Sequence, residues 1–140
     1  MKILKVWAEN FQSYRKMELD LSDITVAGIV GTFKDNPKRS NGAGKSIIMD
    51  CVSYILYGKG RTVSEKGLIR RGEESMSGGI ALDNNGKRVV IERGRNNGKP
   101  FLKLTIDGDD YSDNVDETQG KIVKLVGMDF DLFVATVYFQ

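Results

Sequence analysis

Histidine is missing from this 140-residue sequence, cysteine occurs once, at Cys51, and proline twice. Without histidine, imidazole acid–base catalysis is impossible within the chain, and a structural zinc site has almost no ligands. One cysteine excludes an internal disulfide framework. No apolar run approaches the ~18 residues of a membrane helix, and the first residues lack the apolar region of a signal peptide. An excess of one charge is missing too. The 21 Lys and Arg oppose 19 Asp and Glu, and a net +2 does not by itself announce a nucleic-acid binder. What is present is an ordinary soluble composition, 40% hydrophobic and 29% charged, at a length that makes one domain or a piece of one. The expectation is a soluble, cytoplasmic α/β-type domain. Its chemistry must come from backbone amides, lysine, hydroxyls, carboxylates or a bound ion.

Lys2 to Asn10 alternates loosely, with Ile3, Leu4, Val6 and Trp7 supplying apolar mass, and reads as a strand. Met17, Leu19 and Leu21 alternate with Glu18 and Asp20, which predicts a half-buried partner strand across a turn at Phe11 to Arg15. Ile24 to Val30 is short and apolar, the pattern of a strand covered on both faces, and it leads into Gly31 and a polar loop holding Pro37. From Lys45 the period changes. Ile47, Ile48, Cys51, Val52, Ile55 and Leu56 fall at helical spacing, and Gly58 and Gly60 end the run. Six such side chains, each contributing ~1.5–3 kcal/mol when buried, require this helix to pack on a sheet. Lys59 to Glu74 reads as a basic connector anchored by Leu68 and Ile69. Three meander strands follow, Met76–Asp83, Lys87–Arg93 and Phe101–Ile106, with a hairpin signal at Asn84-Asn85-Gly86. Asp107 to Asp116 is an acidic loop, Glu117 to Val126 a second helix stopped by Gly127, and Phe130 to Phe139 a last apolar segment.

The chemistry concentrates in Ser40, Asn41, Gly42, Ala43, Gly44, Lys45 and Ser46, a glycine-rich loop between the apolar segment and the helix. Gly42 and Gly44 allow the backbone to curl so that successive N–H groups form an anion nest. The helix start adds partial positive charge. Lys45 can reach β and γ phosphates, and the Ser46 hydroxyl can hold Mg²⁺. The strict Gly-x4-Gly-Lys-Ser spacing fails at its first place, which is Arg39; the nearest earlier glycine is Gly31. Either the Gly-Lys-Ser is fortuitous, or the loop carries an insertion over Thr32 to Arg39. The strand before and the amphipathic helix after favour the insertion.

Ile29-Val30-Gly31 with Ser40 to Ser46 resembles the head domain of the SMC-like SbcC/Rad-fifty DNA repair ATPases, and the resemblance spans the chain. Asn10-Phe-Gln-Ser-Tyr14 and Met17 to Leu21 are similar to that family's opening hairpin. Tyr57 to Gly60 and Leu68 to Glu73 resemble the segment after its first helix, and Leu125 to Met128 with Phe133 to Gln140 its approach to the Q-loop. The resemblance implies the N-terminal lobe of an ABC-type P-loop NTPase head, with antiparallel strands plus a P-loop strand–helix joint. It implies ATP and Mg²⁺ as cofactors, with Lys45 catalytic and Gln140 helping to hold the metal and position the attacking water. The Tyr138-Phe-Gln140 tripeptide also ends protease-tag sites, but Phe133, Thr136 and Val137 fit the family run. Many members carry a nucleotide-reaching basic residue where this chain has Gln12, with Arg15 as the nearest substitute. The implied partners are a C-terminal half of the same head, a second head in a homodimer, a nuclease subunit of the SbcD type and double-stranded DNA. The implied setting is cytoplasmic and nucleoid-associated, in double-strand break repair and recombination.

Neither an Asp-Glu-terminated Walker B strand nor a heptad arm is legible, so the chain is expected to be the N-terminal half of a split head, cut at the Q-loop. Met76-Ser-Gly-Gly79 imitates an ABC signature but runs straight into a strand and a hairpin turn. Asp107 to Asp113 lacks the calcium-loop ligand pattern and reads as a solvated turn. Basic residues cluster at Lys59 to Arg71 and at Lys87 to Lys99. They are either a solvated face or a phosphate-tracking DNA patch, with Arg88, Arg93 and Arg95 as the candidate contacts. The rival readings are a nucleotide-gated DNA clamp or structural module with little hydrolysis, and an unrelated P-loop kinase or small NTPase.

Overall fold

Three two-residue turns lay out the sheet. Asn85-Gly86 (φ 54° and 83°), Asn97-Gly98 (48° and 77°) and Asp107-Gly108 (51° and 90°) each place both central residues in the left-handed region. Such turns match the right-handed twist of the strands they join. The computed structural model describes residues 1–30, 32, 34–36, 38, 44–60 and 64–137. Its elements are β1 (Lys2–Phe11), β2 (Tyr14–Asp20), α1 (Lys45–Tyr57), α2 (Glu65–Leu68), β3 (Met76–Asn84), β4 (Lys87–Asn96), β5 (Lys99–Ile106), β6 (Asp109–Asp110), α3 (Val115–Val126) and α4 (Phe130–Val137). The strands form one six-stranded sheet in the order β2-β1-β3-β4-β5-β6, every pairing antiparallel.

The register lines up apolar side chains across five strands. Leu19, Val6, Ile80, Ile91 and Leu104 are successive cross-strand partners, and all but Leu19 are fully buried. Period-2 alternation puts Ala8, Met17, Met76, Leu82, Val89 and Leu102 on the same face. That face forms the core with α1, whose Cys51, Val52, Ile55 and Leu56 are buried, and with Ile122 of α3 and Phe133 of α4. The helical stripe expected from Lys45 onward is therefore present and seated on the sheet.

The Met76-Ser-Gly-Gly79 sequence lies inside β3, and its glycines do packing work. A Cβ at Gly78 would stand 3.0 Å from Ile55 Cγ1 and 3.6 Å from Cys51 Sγ, so this glycine sets how closely α1 approaches the sheet. Gly79 faces the other way and pairs with Trp7, whose indole lies where a Cβ would be. Gly94 pairs with Phe101 in the same manner, and a Cβ there would also meet the Met76 carbonyl oxygen. Two aromatic rings thus cover two strand glycines on the outer face.

Several boundaries move for identifiable reasons. Strand β4 runs on to Asn96 because a second hairpin turn follows it. Helix α3 begins at Val115 because the Asn114 side chain accepts the Glu117 N–H at 2.9 Å. The acidic loop contains the Asp107-Gly108 turn and the short return strand β6. The expected strand at Ile24 to Val30 does not form: these residues belong to no strand, and Ile24, Val26, Ile29 and Val30 are 41, 89, 49 and 83% exposed. A strand needs a partner for its backbone groups. Among the described residues no strand of the β2-to-β6 sheet pairs with this segment. None of the described helices is long and apolar enough to cross a membrane.

The glycine contacts predict unequal costs. Gly79→Ala should destabilise by about 1–3 kcal/mol through displacement of the indole. Most of that loss should vanish in a Trp7→Ala background, as a urea-denaturation double-mutant cycle would show. Gly94→Ala should cost as much or more, and Phe101→Ala should not rescue it, because the Met76 carbonyl cannot move aside. Additive losses for Gly79 and Trp7 would contradict this account.

Candidate nucleotide site

Helix α1 starts without the devices that normally satisfy a helix N-terminus. Gly44 occupies the N-cap at φ 85°, no side chain among the described residues caps the first turn, and that turn holds no acidic residue. In α3, by contrast, Asn114 caps and Asp116 and Glu117 line the first turn. Apart from the Ile47 N–H, which donates to the Gly44 carbonyl, the first-turn N–H groups have no partner among the described residues, and the positive end of the helix suits an anion. Lys45 is half-buried there and Ser46 is exposed, so the ammonium and the hydroxyl stand at the same end of the helix. Ser40, Asn41, Gly42 and Ala43 lie outside the described residues, as does Gln140. The donor set fits a phosphate group: free helical amides, a cation and a hydroxyl. For a metal ion the described residues offer the single Ser46 hydroxyl.

The β1–β2 turn backs this helix start, an arrangement the sequence pattern did not reveal. Tyr14 Oη donates to the Gly44 carbonyl at 3.3 Å, and Ser13 Oγ would lie 3.6 Å from a Cβ at Gly44. The turn is braced by the connector: Gln12 N–H donates to Leu68 O (2.7 Å), Arg70 N–H to Asn10 O (2.9 Å) and Arg70 Nη1 to Ser13 O (2.7 Å). Leu68, fully buried, and Ile69, bridged to Phe11, anchor the connector as expected. Gln12 Nε2 is buried with no hydrogen-bond acceptor among the described residues. Arg15 is exposed on β2.

The basic strand residues occupy different places from those the DNA-patch expectation gave them. Arg93 is buried: its Nε donates to Ile55 O at 3.0 Å and its Nη2 to Gln119 Oε1, and burial lowers its pKa to about 10. Arg95 makes a two-pronged pair with Glu65 of α2, both bonds 2.8 Å, and also donates to Gly98 O. Arg93 is thereby corrected to an interior residue, and Arg95 to a brace holding α2 on β4. Arg88 is exposed, and alternation along β4 puts it on the face opposite Arg93 and Arg95. The three cannot form one patch. Two-residue spacing from buried Val89 and Ile91 was the signal that placed Arg93 inward.

Burial also shifts the tyrosines of α1. Tyr54, packed on Phe11, and Tyr57, packed on Phe130 and Phe133, are both raised to about 12, and the Cys51 thiol is likewise pushed up to about 12, chiefly by burial. An acid whose folded pKa is raised holds its proton while the unfolded chain loses it, so folding stability falls as pH rises through that window. Arg93, a base with a lowered pKa, acts in the opposite sense above about pH 10. Three groups outweigh one. Stability should therefore drop between about pH 10 and 12, with Tyr54 and Tyr57 ionising only as the chain unfolds. Tyrosinate absorbance of the wild type against a Tyr54→Phe/Tyr57→Phe variant, followed beside circular dichroism, checks this; a difference between the two near pH 10 while both are folded would contradict it.

Comparison with known proteins bears on the same residues. A family model described as AAA domain matches residues 5–133. The DNA double-strand break repair Rad50 ATPase of Methanocaldococcus jannaschii is 24% identical over 140 residues, covering 100% of this chain and 13% of that protein. The SbcC component of the SbcCD nuclease of Deinococcus radiodurans is 28% identical over 149 residues, covering 98% of this chain and 16% of that protein. The chain thus spans under a fifth of the length of these relatives. Among solved structures, the ATP complex of the recombination mediator protein RecF superposes with a TM-score of 0.58 at 18% identity, covering 87% of this chain and 29% of that one. The SMC head domain from Thermotoga maritima gives 0.56 at 21%, covering 80% and 39%. These likenesses show the fold of an ABC-type P-loop ATPase head. The chain belongs to the AAA domain family, and what it corresponds to there is the N-terminal half of the head of Rad50- and SbcC-type proteins.

Proposed function

We infer that this chain binds Mg²⁺-ATP through Ser40 to Ser46 and forms, with a C-terminal half, an ATPase head serving DNA double-strand break repair and recombination. The observation that carries this reading is the uncapped start of α1, where Gly44 at φ 85° delivers Lys45 and Ser46 to one free helix end. The backbone amides take the phosphate oxygens, Lys45 neutralises charge on the β and γ phosphates, and Ser46 is a ligand for the metal. Mg²⁺ would supply charge neutralisation across the phosphates. The buried Gln12 amide, a donor without a described acceptor, stands in the turn next to this helix start and gives a bound nucleotide a further partner. Gln140, by the family resemblance, positions the attacking water.

Completion by a second half is supported by the exposed run Ile24, Val26, Ile29 and Val30, a strand-forming sequence lacking a strand partner among the described residues. Hydrolysis then needs the Walker B strand and signature motif that the completed, dimerised head supplies. The proposed partners remain a second head, an SbcD-type nuclease and duplex DNA, in the cytoplasm at the nucleoid. With Arg93 and Arg95 engaged internally, DNA contact on this half falls to Arg88 and the connector, which neutralise few phosphates. DNA binding should accordingly strengthen only when two heads engage.

Lys45→Ala in the assembled head should abolish Mg²⁺-ATP binding in calorimetry while the melting curve is retained; unchanged affinity would remove the phosphate-loop reading. The insertion gives a separate check. Thr32, Lys34, Asp35, Asn36 and Lys38 are all exposed, so replacing Thr32 to Arg39 by a short linker should leave ATP affinity intact. Loss of binding in a folded variant would place the insertion within the site.

A further inference from the structure

Helix α1 carries Lys45 and Ser46 at one end, and the other end, ~18 Å away by helical rise, is held with unusual completeness. Three successive carbonyls there receive donors from three parts of the fold. Tyr54 O accepts from Gly58 N–H at 2.7 Å, Ile55 O from Arg93 Nε at 3.0 Å, and Leu56 O from Gln119 Nε2 at 2.9 Å. Arg93 Nη2 donates to Gln119 Oε1, so guanidinium and amide also lock each other. The Gln119 amide is thereby oriented, with its oxygen toward Arg93 and its nitrogen toward the helix. Gly58, at φ 73°, sits so near the guanidinium that a Cβ would come within 2.8 Å of Nη1.

A buried cation that donates to a backbone carbonyl and an amide oxygen is a costly way to fill a core position. An apolar side chain of similar volume is often as good or better for stability. What the guanidinium provides and an apolar side chain cannot is direction. It meets the negative end of the helix dipole, and with Gln119 it ties β4 and α3 to particular carbonyls of α1. Slippage or rotation of α1 would break these bonds, and the same movement would carry Lys45 and Ser46 away from the phosphates.

We propose that Arg93 and Gln119 are positioning residues of the nucleotide site, fixing the rotation and axial placement of α1 so that Lys45 and Ser46 meet the phosphates in one geometry. The proposal rests on the ATP-binding reading above. Misplacement of phosphate-binding groups by a fraction of a helical step should weaken binding without removing any group that touches the ligand.

The test measures Mg²⁺-ATP affinity by calorimetry in the assembled head, well below each variant's melting temperature. Arg93→Met keeps the apolar bulk and removes the directed bonds. Gln119→Glu keeps an acceptor for Arg93 and removes the donor to Leu56 O. Each should reduce affinity about 10-fold, the low end for removing an outer-shell partner. Hydrogen exchange should quicken at the amides of residues 45–49 in the folded variants. Combined with Ser46→Ala, the affinity losses should be less than multiplicative, because a mispositioned hydroxyl has less to lose. Variants that melt earlier yet bind ATP as wild type does, with unchanged exchange at 45–49, would overturn the proposal and leave the pair a purely structural tie. If Arg93→Met does not fold, the half-buried Gln119 variants decide alone. Wild-type protein that binds no Mg²⁺-ATP would overturn the nucleotide reading and this proposal together. Wild-type binding that is lost in Lys45→Ala but kept in Arg93→Met and Gln119→Glu would overturn the positioning role only.

Discussion

The close approach of α1 to β3 at Gly78 governs the rest of this fold. A Cβ there would meet the Ile55 side chain at 3.0 Å, so Ile55 or the helix would have to give by a few tenths of an ångström. With hydrogen in its place, Cys51 and Ile55 reach full burial and Val52 and Leu56 nearly so, opposite the apolar row that runs through Val6, Ile80, Ile91 and Leu104. Four such side chains contribute on the order of 6–12 kcal/mol when buried. The neighbouring Gly79 resolves the other face by taking the indole of Trp7. One Gly-Gly pair in β3 thus admits a helix on one side and an aromatic ring on the other. This is a packing reason for a Ser-Gly-Gly sequence that otherwise imitates a catalytic signature.

Much of this architecture is legible in the sequence because its signals are local. Asn85-Gly86 specifies a hairpin, the stripe from Ile47 to Leu56 specifies a helix with one buried face, and Gly58 and Gly127 end helices in the left-handed conformation that favours glycine. Signals that depend on what lies across a space are harder to read. Ile24 to Val30 has the composition of a buried strand, but composition reports a preference for burial and not the surface that provides it. Arg93 and Arg95 read as surface cations by residue type. Only the register with Val89 and Ile91 shows that they point inward, where the helix end and Glu65 receive them.

The proposed phosphate-binding arrangement divides in the same way. Lys45 and Ser46 are legible because a glycine-rich loop before an amphipathic helix is a local pattern with a physical reason. The support behind them is not local. Tyr14 comes from 30 residues upstream of Gly44, and Arg70, which braces Ser13, from 57 residues beyond its acceptor. Both depend on β1, β2 and the connector meeting at the start of α1, and no spacing rule links those segments in sequence.

Apolar exposure is unevenly distributed over the described residues. Among the described residues no helix lies on the outer sheet face, where Trp7 and Phe101 cover Gly79 and Gly94. Charged residues such as Lys5, Glu18, Glu92 and Lys103 share that face by alternation, so it can meet water as it stands. Of the ten large apolar side chains left exposed among the described residues, four fall between positions 24 and 30. Val26 and Val30, the two most exposed, are β-branched and belong in a sheet by side-chain shape. An isolated surface valine needs no explanation, but four exposed apolar residues within seven positions are a local concentration of apolar surface. Burial of these side chains needs a surface that the described residues do not provide, because their own sheet pairs only β1 to β6.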